Sequence, residues 1–123
     1  MRFILLFILA SWFTVANGAS GTAKGTVEFL RTHDSMYYAG QNNWEPPVYW
    51  FSLTGFTQAG SCPLWNGRVL LVGNDVQSYA MVMSALKGGQ TLAVYYDDAA
   101  IRKNGYCTAI HITFRSPTAP DIN

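Results

Sequence analysis

One stretch of helical periodicity is set into a chain otherwise written in short β-prone runs, and that order restricts the fold more than any other feature. Val76, Tyr79, Ala80, Met83 and Leu86 recur at helical spacing, Asn74 or Asp75 offers an N-cap, and Gly88-Gly89 ends the run. Before it lie three strand-like runs. Residues 25–33 alternate, with Val27, Phe29 and Arg31 assigned to one face; residues 48–53 are strongly β-prone; residues 68–72 read as a short buried strand. After the helix come residues 91–96 and 106–114. Turn-rich connections occupy 34–47 and 55–67, a polar loop 97–105, and a proline-containing tail 116–123. The order β-β-β-α-β-β predicts a mainly β domain over residues 25–115. Its expected form is a five-stranded OB-fold-like barrel with one α-helix between strands three and four. A five-stranded open α+β sandwich is the competing arrangement.

The cysteines agree with this order. Cys62 and Cys107 are the only two, and in a secreted domain an isolated pair most simply forms one disulfide. Strands three and five of the barrel run parallel and adjacent. Cys62 precedes the third and Cys107 opens the fifth, so both fall at one end, where a bridge fits. The bridge would close a loop of about 45 residues, worth roughly 4 kcal/mol by chain entropy. Two free or redox-active thiols are the alternative, although their separation is not a C-x-x-C spacing.

The N-terminus sets the compartment. Met1-Arg2 gives a positive start, residues 3–15 are almost unbroken apolar, and Ala16-Asn17-Gly18-Ala19-Ser20 supplies small residues. This is the layout of a secretory signal peptide over residues 1–18, with the cut after Gly18 and a cut after Ala19 as second choice. The apolar run of about 13 residues is too short to span ~30 Å of hydrocarbon as a helix. An uncleaved anchor is the alternative. The expected localisation is secreted or periplasmic, with no transmembrane segment after cleavage. Losing Arg2 leaves seven basic residues against seven acidic ones. Such a neutral domain has no long-range pull on nucleic acid, so none is expected as a partner.

The ligand-binding candidate is the connection between strands one and two: Tyr37, Tyr38, Gln41, Asn42, Asn43 and Trp44. Aromatic faces stack on the apolar faces of sugar rings, and amides satisfy hydroxyl groups. The same aromatics could instead cover the barrel mouth or a subunit interface. Asp97-Asp98 with Arg102-Lys103 lie in the other usual OB binding loop; they read as a solvated turn before a Ca²⁺ site, which needs six to eight oxygens. His33 and His111 have no third ligand for zinc. Ser61 lacks both a nucleophile elbow and a positioned base. No enzyme activity, metal or cofactor is therefore expected. Met81, Val82 and Ala85 make the helix apolar beyond its main stripe, which suits either helix packing between subunits or cover by the first loop or the tail.

Residues 48–114 also carry a family resemblance. An aromatic strand (Tyr49-Trp50-Phe51) leads to a glycine, Cys62 and Trp65. A helix with Tyr79 and Ala80 follows, then a glycine break, the strand L-A-V-Y-Y and a last strand. This order resembles the OB-fold B subunits of AB5 toxins, in particular the subtilase-cytotoxin and pertussis-like branch, or a secreted bacterial group sharing that scaffold. The resemblance implies a homopentamer that binds glycans. The single, differently placed cysteine pair and the first strand and loop depart from the family, so no binding residue is carried over. The expected function is a secreted non-enzymatic module recognising carbohydrate as a B-subunit-like oligomer. A periplasmic or cell-surface domain that binds or inhibits a protein partner is the alternative.

Overall fold

The computed structural model describes residues 18–33, 48–116 and 118–120. Among them the chain is mainly β with one helix. The elements are β1 (Ser20–Thr32), β2 (Tyr49–Leu53), β3 (Leu64–Trp65), β4 (Arg68–Val69), β5 (Leu71–Gly73), α1 (Val76–Gly88), β6 (Thr91–Asp97), β7 (Arg102–Lys103), β8 (Tyr106–Thr108) and β9 (His111–Phe114). Seven strands form one sheet in the order β7-β8-β5-β2-β1-β6-β9, curled into an open half-barrel, while β3 and β4 make a separate hairpin. The candidate residues Tyr37, Tyr38, Gln41, Asn42, Asn43 and Trp44 lie outside the described residues, as do residues 1–17, where the signal peptide is expected.

β1 is the organising strand. Its first half pairs antiparallel with β6, from Ser20↔Asp97 to Thr26↔Thr91, and its second half with β2, from Val27↔Leu53 to Thr32↔Tyr49. It begins five residues before the stretch that alternates in the sequence. The crossover from one neighbour to the other falls between Thr26 and Val27, just after Gly25, where a Cβ would lie 2.9 Å from the Thr54 carbonyl oxygen. A bulge between Val27 and Phe29 then adds a residue. Strand side chains alternate with period two, so one extra residue reverses which parity faces the core. Ala23 and Val27 point inward before the bulge and Leu30 packs on the core after it. The expected common face of Val27, Phe29 and Arg31 is thus broken: Phe29 and Arg31 turn to the outer side.

Inside the curl, Tyr49, Phe51 and Leu53 of β2 meet Leu71 of β5 and Leu92 and Val94 of β6. Each fully buried Leu or Phe contributes about 1.5–3 kcal/mol over its exposed state. The helix starts where Asp75 accepts hydrogen bonds from the Gln77 and Ser78 amides, and stops at Gly89 with φ of 62°. Its buried residues are Val82 and Ala85, with Tyr79 packed at the margin, whereas Val76 is 75% exposed and Leu86 40%. The stripe read from the sequence is therefore rotated. Two overlapping apolar stripes satisfy helical periodicity here. The small Ala85 allows close approach, and a 2.7 Å hydrogen bond from the Tyr49 hydroxyl to Ser78 Oγ holds that orientation.

The Cys62–Cys107 disulfide is present, with Cα atoms 5.5 Å apart. β5 and β8 run parallel through Leu71↔Cys107 and Val72↔Thr108. The last predicted strand is divided. β8 follows β5 and β9 follows β6, and between them the Ala109 amide donates to Val72 O and the Ile110 amide to Tyr95 O, both at 2.9 Å. Among the described residues, no helix is long and apolar enough to cross a membrane.

Candidate functional site

Every residue of β2 is buried. A strand buried on both faces needs a second layer, and that layer is aromatic. Trp50 and Val48 of the β2 segment join Leu70 and Val72 around β5, with Trp65 and Tyr106 packed against them. Trp65 arrives on the β3–β4 hairpin. Its turn is Asn66-Gly67 with φ of 50° and 74°, the two positive values that a two-residue type I′ turn requires. Arg68, the next residue, forks onto Glu28 of β1: Nε donates to Oε2 at 3.0 Å and Nη2 to Oε1 at 3.3 Å. This clasp ties the hairpin across the outer sheet face at the β1 bulge.

The clasp fixes an aromatic ridge. The Trp65 ring sits 4.7 Å from Trp50, and Phe29 meets Trp65 edge-on at 5.7 Å. The Arg31 guanidinium lies 4.7 Å from the centre of the Trp50 ring and 5.9 Å from that of Trp65. Such a cation over an indole contributes about 0.5–1 kcal/mol at an exposed site. Trp50 is buried beneath the ridge, but Phe29 is 48% exposed. The ridge therefore presents ring surface beside a fixed positive charge. Arg31 pairs with Trp50 and Thr32 with Tyr49, so the ridge stands where the chain leaves β1 for residues 34–47 and returns. Sequence reading missed Phe29, Arg31, Trp50 and Trp65 as a group. One signal was available: Asn66-Gly67 marks the hairpin that delivers Trp65.

His33 stands at the end of β1, and burial, with the neighbouring Arg31 charge second, holds its pKa below the ordinary value. His111 of β9 packs against the Tyr95 ring of β6, and β6 separates β9 from β1. Tyr49 is raised, mainly by burial. Ser52, fully buried on the outer-facing side of β2, has no partner for its hydroxyl among the described residues.

The second candidate loop is a structural knot. Asp97 Oδ1 accepts from the Ala99 amide at 2.9 Å. Asp98 faces another way, accepting from the Ala19 amide at 2.8 Å and the Ser61 amide at 2.9 Å. The Ser61 amide bond is the largest cause holding the Asp98 carboxyl below its usual range. Arg102 donates to Ser61 Oγ at 2.6 Å and to the Asp98 carbonyl at 2.7 Å. The two aspartates thus diverge, and among the described residues no group of three or more His, Cys, Asp or Glu is placed to hold a metal. Arg102 and Lys103 lie in β7, a short hairpin strand closed by Asn104-Gly105, also with two positive φ values.

No protein-family model, curated protein or solved structure matches the chain.

Proposed function

We propose that the protein is a secreted, non-enzymatic carbohydrate-binding module built on an OB-type barrel. The barrel reading is supported by β1 pairing with both β2 and β6, by the parallel β5–β8 pair, and by the Ala109 and Ile110 amides reaching β5 and β6 in turn. On this reading β8 and β9 are two parts of one fifth strand. The β3–β4 hairpin and the short strand β7 are additions to it. The disulfide favours an oxidising compartment.

The observation that carries the binding assignment is the clasped ridge of Phe29 and Trp65 with Arg31 over the indoles. Phe29 and Arg31 stand on β1 and Trp65 on the β3–β4 hairpin, over the outer side of β2 and β5; on the barrel reading these are strands two and three, whose face OB-folds use for oligosaccharides. Tyr37, Tyr38, Gln41, Asn42, Asn43 and Trp44 follow β1 in sequence and lie outside the described residues; they are proposed as further sugar contacts on composition alone. Aromatic stacking on sugar is shallow and weak per site. Assembly into a B-subunit-like homopentamer, implied by the sequence resemblance, would raise it through multivalency. The test is a glycan array probed with the wild-type protein and with Trp65→Ala and Phe29→Ala. Wild-type retention on a glycan set, lost in variants that keep their circular dichroism, supports the reading. Blank arrays for the folded wild type refute it.

A protein-binding role is the second reading, favoured by one feature. A cleft of about 500 Å³ runs between the start of α1 and the β7–β8 hairpin, rimmed by Ile101, 88% exposed, and Ile110, 41% exposed. A stoichiometric co-purifying polypeptide together with a blank glycan array would favour it.

A further inference from the structure

We infer that cleavage between Gly18 and Ala19 converts the Ala19 nitrogen into an ammonium seated on Asp98, so that removal of the leader completes an ion-paired lock. The inference rests on the secretory reading above. Ala19 and Asp98 already grip each other in both directions: Ala19 N donates to Asp98 Oδ1 at 2.8 Å, and Asp98 N donates to Ala19 O at 2.9 Å. The other carboxylate oxygen takes the Ser61 amide at 2.9 Å and the Ser61 hydroxyl at 3.2 Å. Three distant chain segments meet here, next to Cys62 and beside the Arg102↔Cys107 strand pair. Gly60, at φ +53°, completes the seat: a Cβ there would run into Asp98 Oδ2 and Ala19.

The geometry chooses between the two cleavage positions. A cut after Ala19 removes both groups that Asp98 holds on that residue. A cut after Gly18 keeps both and strengthens one. In that hydrolysis the water oxygen adds to the Gly18 carbonyl carbon and the C–N bond breaks. Gly18 leaves as a carboxylate with the leader. The Ala19 nitrogen takes protons to become –NH₃⁺ near neutral pH. An amide with one N–H facing a carboxylate becomes a cation with three, so a hydrogen bond already assisted by the charge of its acceptor gains the opposite charge on its donor. The charged groups around this nitrogen are Asp98 and, through Ser61, Arg102; Asp97 turns its carboxylate to the Ala99 amide. An ammonium beside a carboxylate binds its proton more tightly, so its folded-state pKa rises. The ion pair is complete between the Asp98 and Ala19 titrations and is lost as pH climbs through the raised ammonium value.

The full-length chain is exported from a bacterial host, and the mature terminus is read by intact mass and peptide sequencing. The expected first residue is Ala19. On ¹³C-alanine-labelled mature protein, the Ala19 Cβ shift is followed against pH, natively and in urea. The native midpoint is expected above the ordinary α-amino range of about 7.7–8.0, with the urea midpoint within it. Asp98→Asn should return the native midpoint to that range; if this variant does not fold, the native-versus-urea comparison decides. A mature chain starting at Ser20, or equal midpoints in both states, overturns the lock. Glycan binding by the same sample reads the functional proposal separately: a binder that starts at Ser20 sinks the lock alone. A cleaved, high-titrating protein without glycan binding sinks the carbohydrate assignment alone. Retention of the leader sinks the lock and the secretory reading together.

Discussion

Reduction of the Cys62–Cys107 bridge should remove a large share of this domain's stability. The cysteines are 45 residues apart, and the bridge joins the segment before β3 to β8. In the chain-entropy model a loop of that size restricts the unfolded chain by about 4 kcal/mol at 25 °C. A domain of this size has roughly 5–15 kcal/mol in total. Cys107 is fully buried, so the folded state has little room to relax around free thiols. The assay is urea unfolding of oxidised protein and of protein held in dithiothreitol without alkylation, followed by tryptophan emission. The reduced form should lose about 4 kcal/mol and show a steeper denaturant slope, because its unfolded chain exposes more surface. A loss below about 1 kcal/mol with an unchanged slope would refute the idea that the bridge acts by restricting the unfolded state.

Three further outcomes are expected. Ser52→Ala should raise stability by about 1 kcal/mol, because it removes a buried hydroxyl with no partner among the described residues; destabilisation in a urea melt would contradict that account. Glu28→Gln should weaken the half-buried fork to Arg68 by about 0.2–1 kcal/mol and shift tryptophan emission to the red as Trp65 loosens; unchanged emission and midpoint would show that the clasp does not hold the ridge. His33 should titrate below the ordinary ~6.5 in the folded protein, by histidine NMR. Its folded value lies under its unfolded one. Its contribution is therefore present above the unfolded value and declines as pH falls toward the folded value, and a titration above 6.5 would reverse the sign.

Elements whose signals are local were legible in the sequence. The Asp75 cap and the Gly89 stop bracket the helix without help from tertiary structure, and the pairing of Cys62 with Cys107 followed from their being the only two cysteines, with the strand order in agreement. What escaped depends on long-range geometry. The bulge after Val27 is one residue, yet it parts Phe29 and Arg31 from Val27, with which they were expected to share a face, and turns them to the ridge. Which of two helix stripes is buried is settled by the Tyr49–Ser78 contact across 29 residues of chain. The division between β8 and β9 reflects a switch of partner strand, and an unbroken β-prone run does not disclose it. Asn66-Gly67 and Asn104-Gly105 were visible turn signals whose strands, at two or three residues a side, are too short to show alternation. Asp97 and Asp98 read as a solvated turn, but Asp98 accepts from Ala19 and Ser61, partners 79 and 37 residues away that local sequence does not disclose.

The central claim is that the Phe29–Trp65 ridge takes carbohydrate. Saturation-transfer NMR on the mature, oxidised protein with a mixture of galactosyl, mannosyl and sialyl oligosaccharides tests it most directly. The account predicts transfer to at least one sugar ring for the wild type and its loss in folded Trp65→Ala. No transfer to any sugar, or transfer equal in the two proteins, would contradict it.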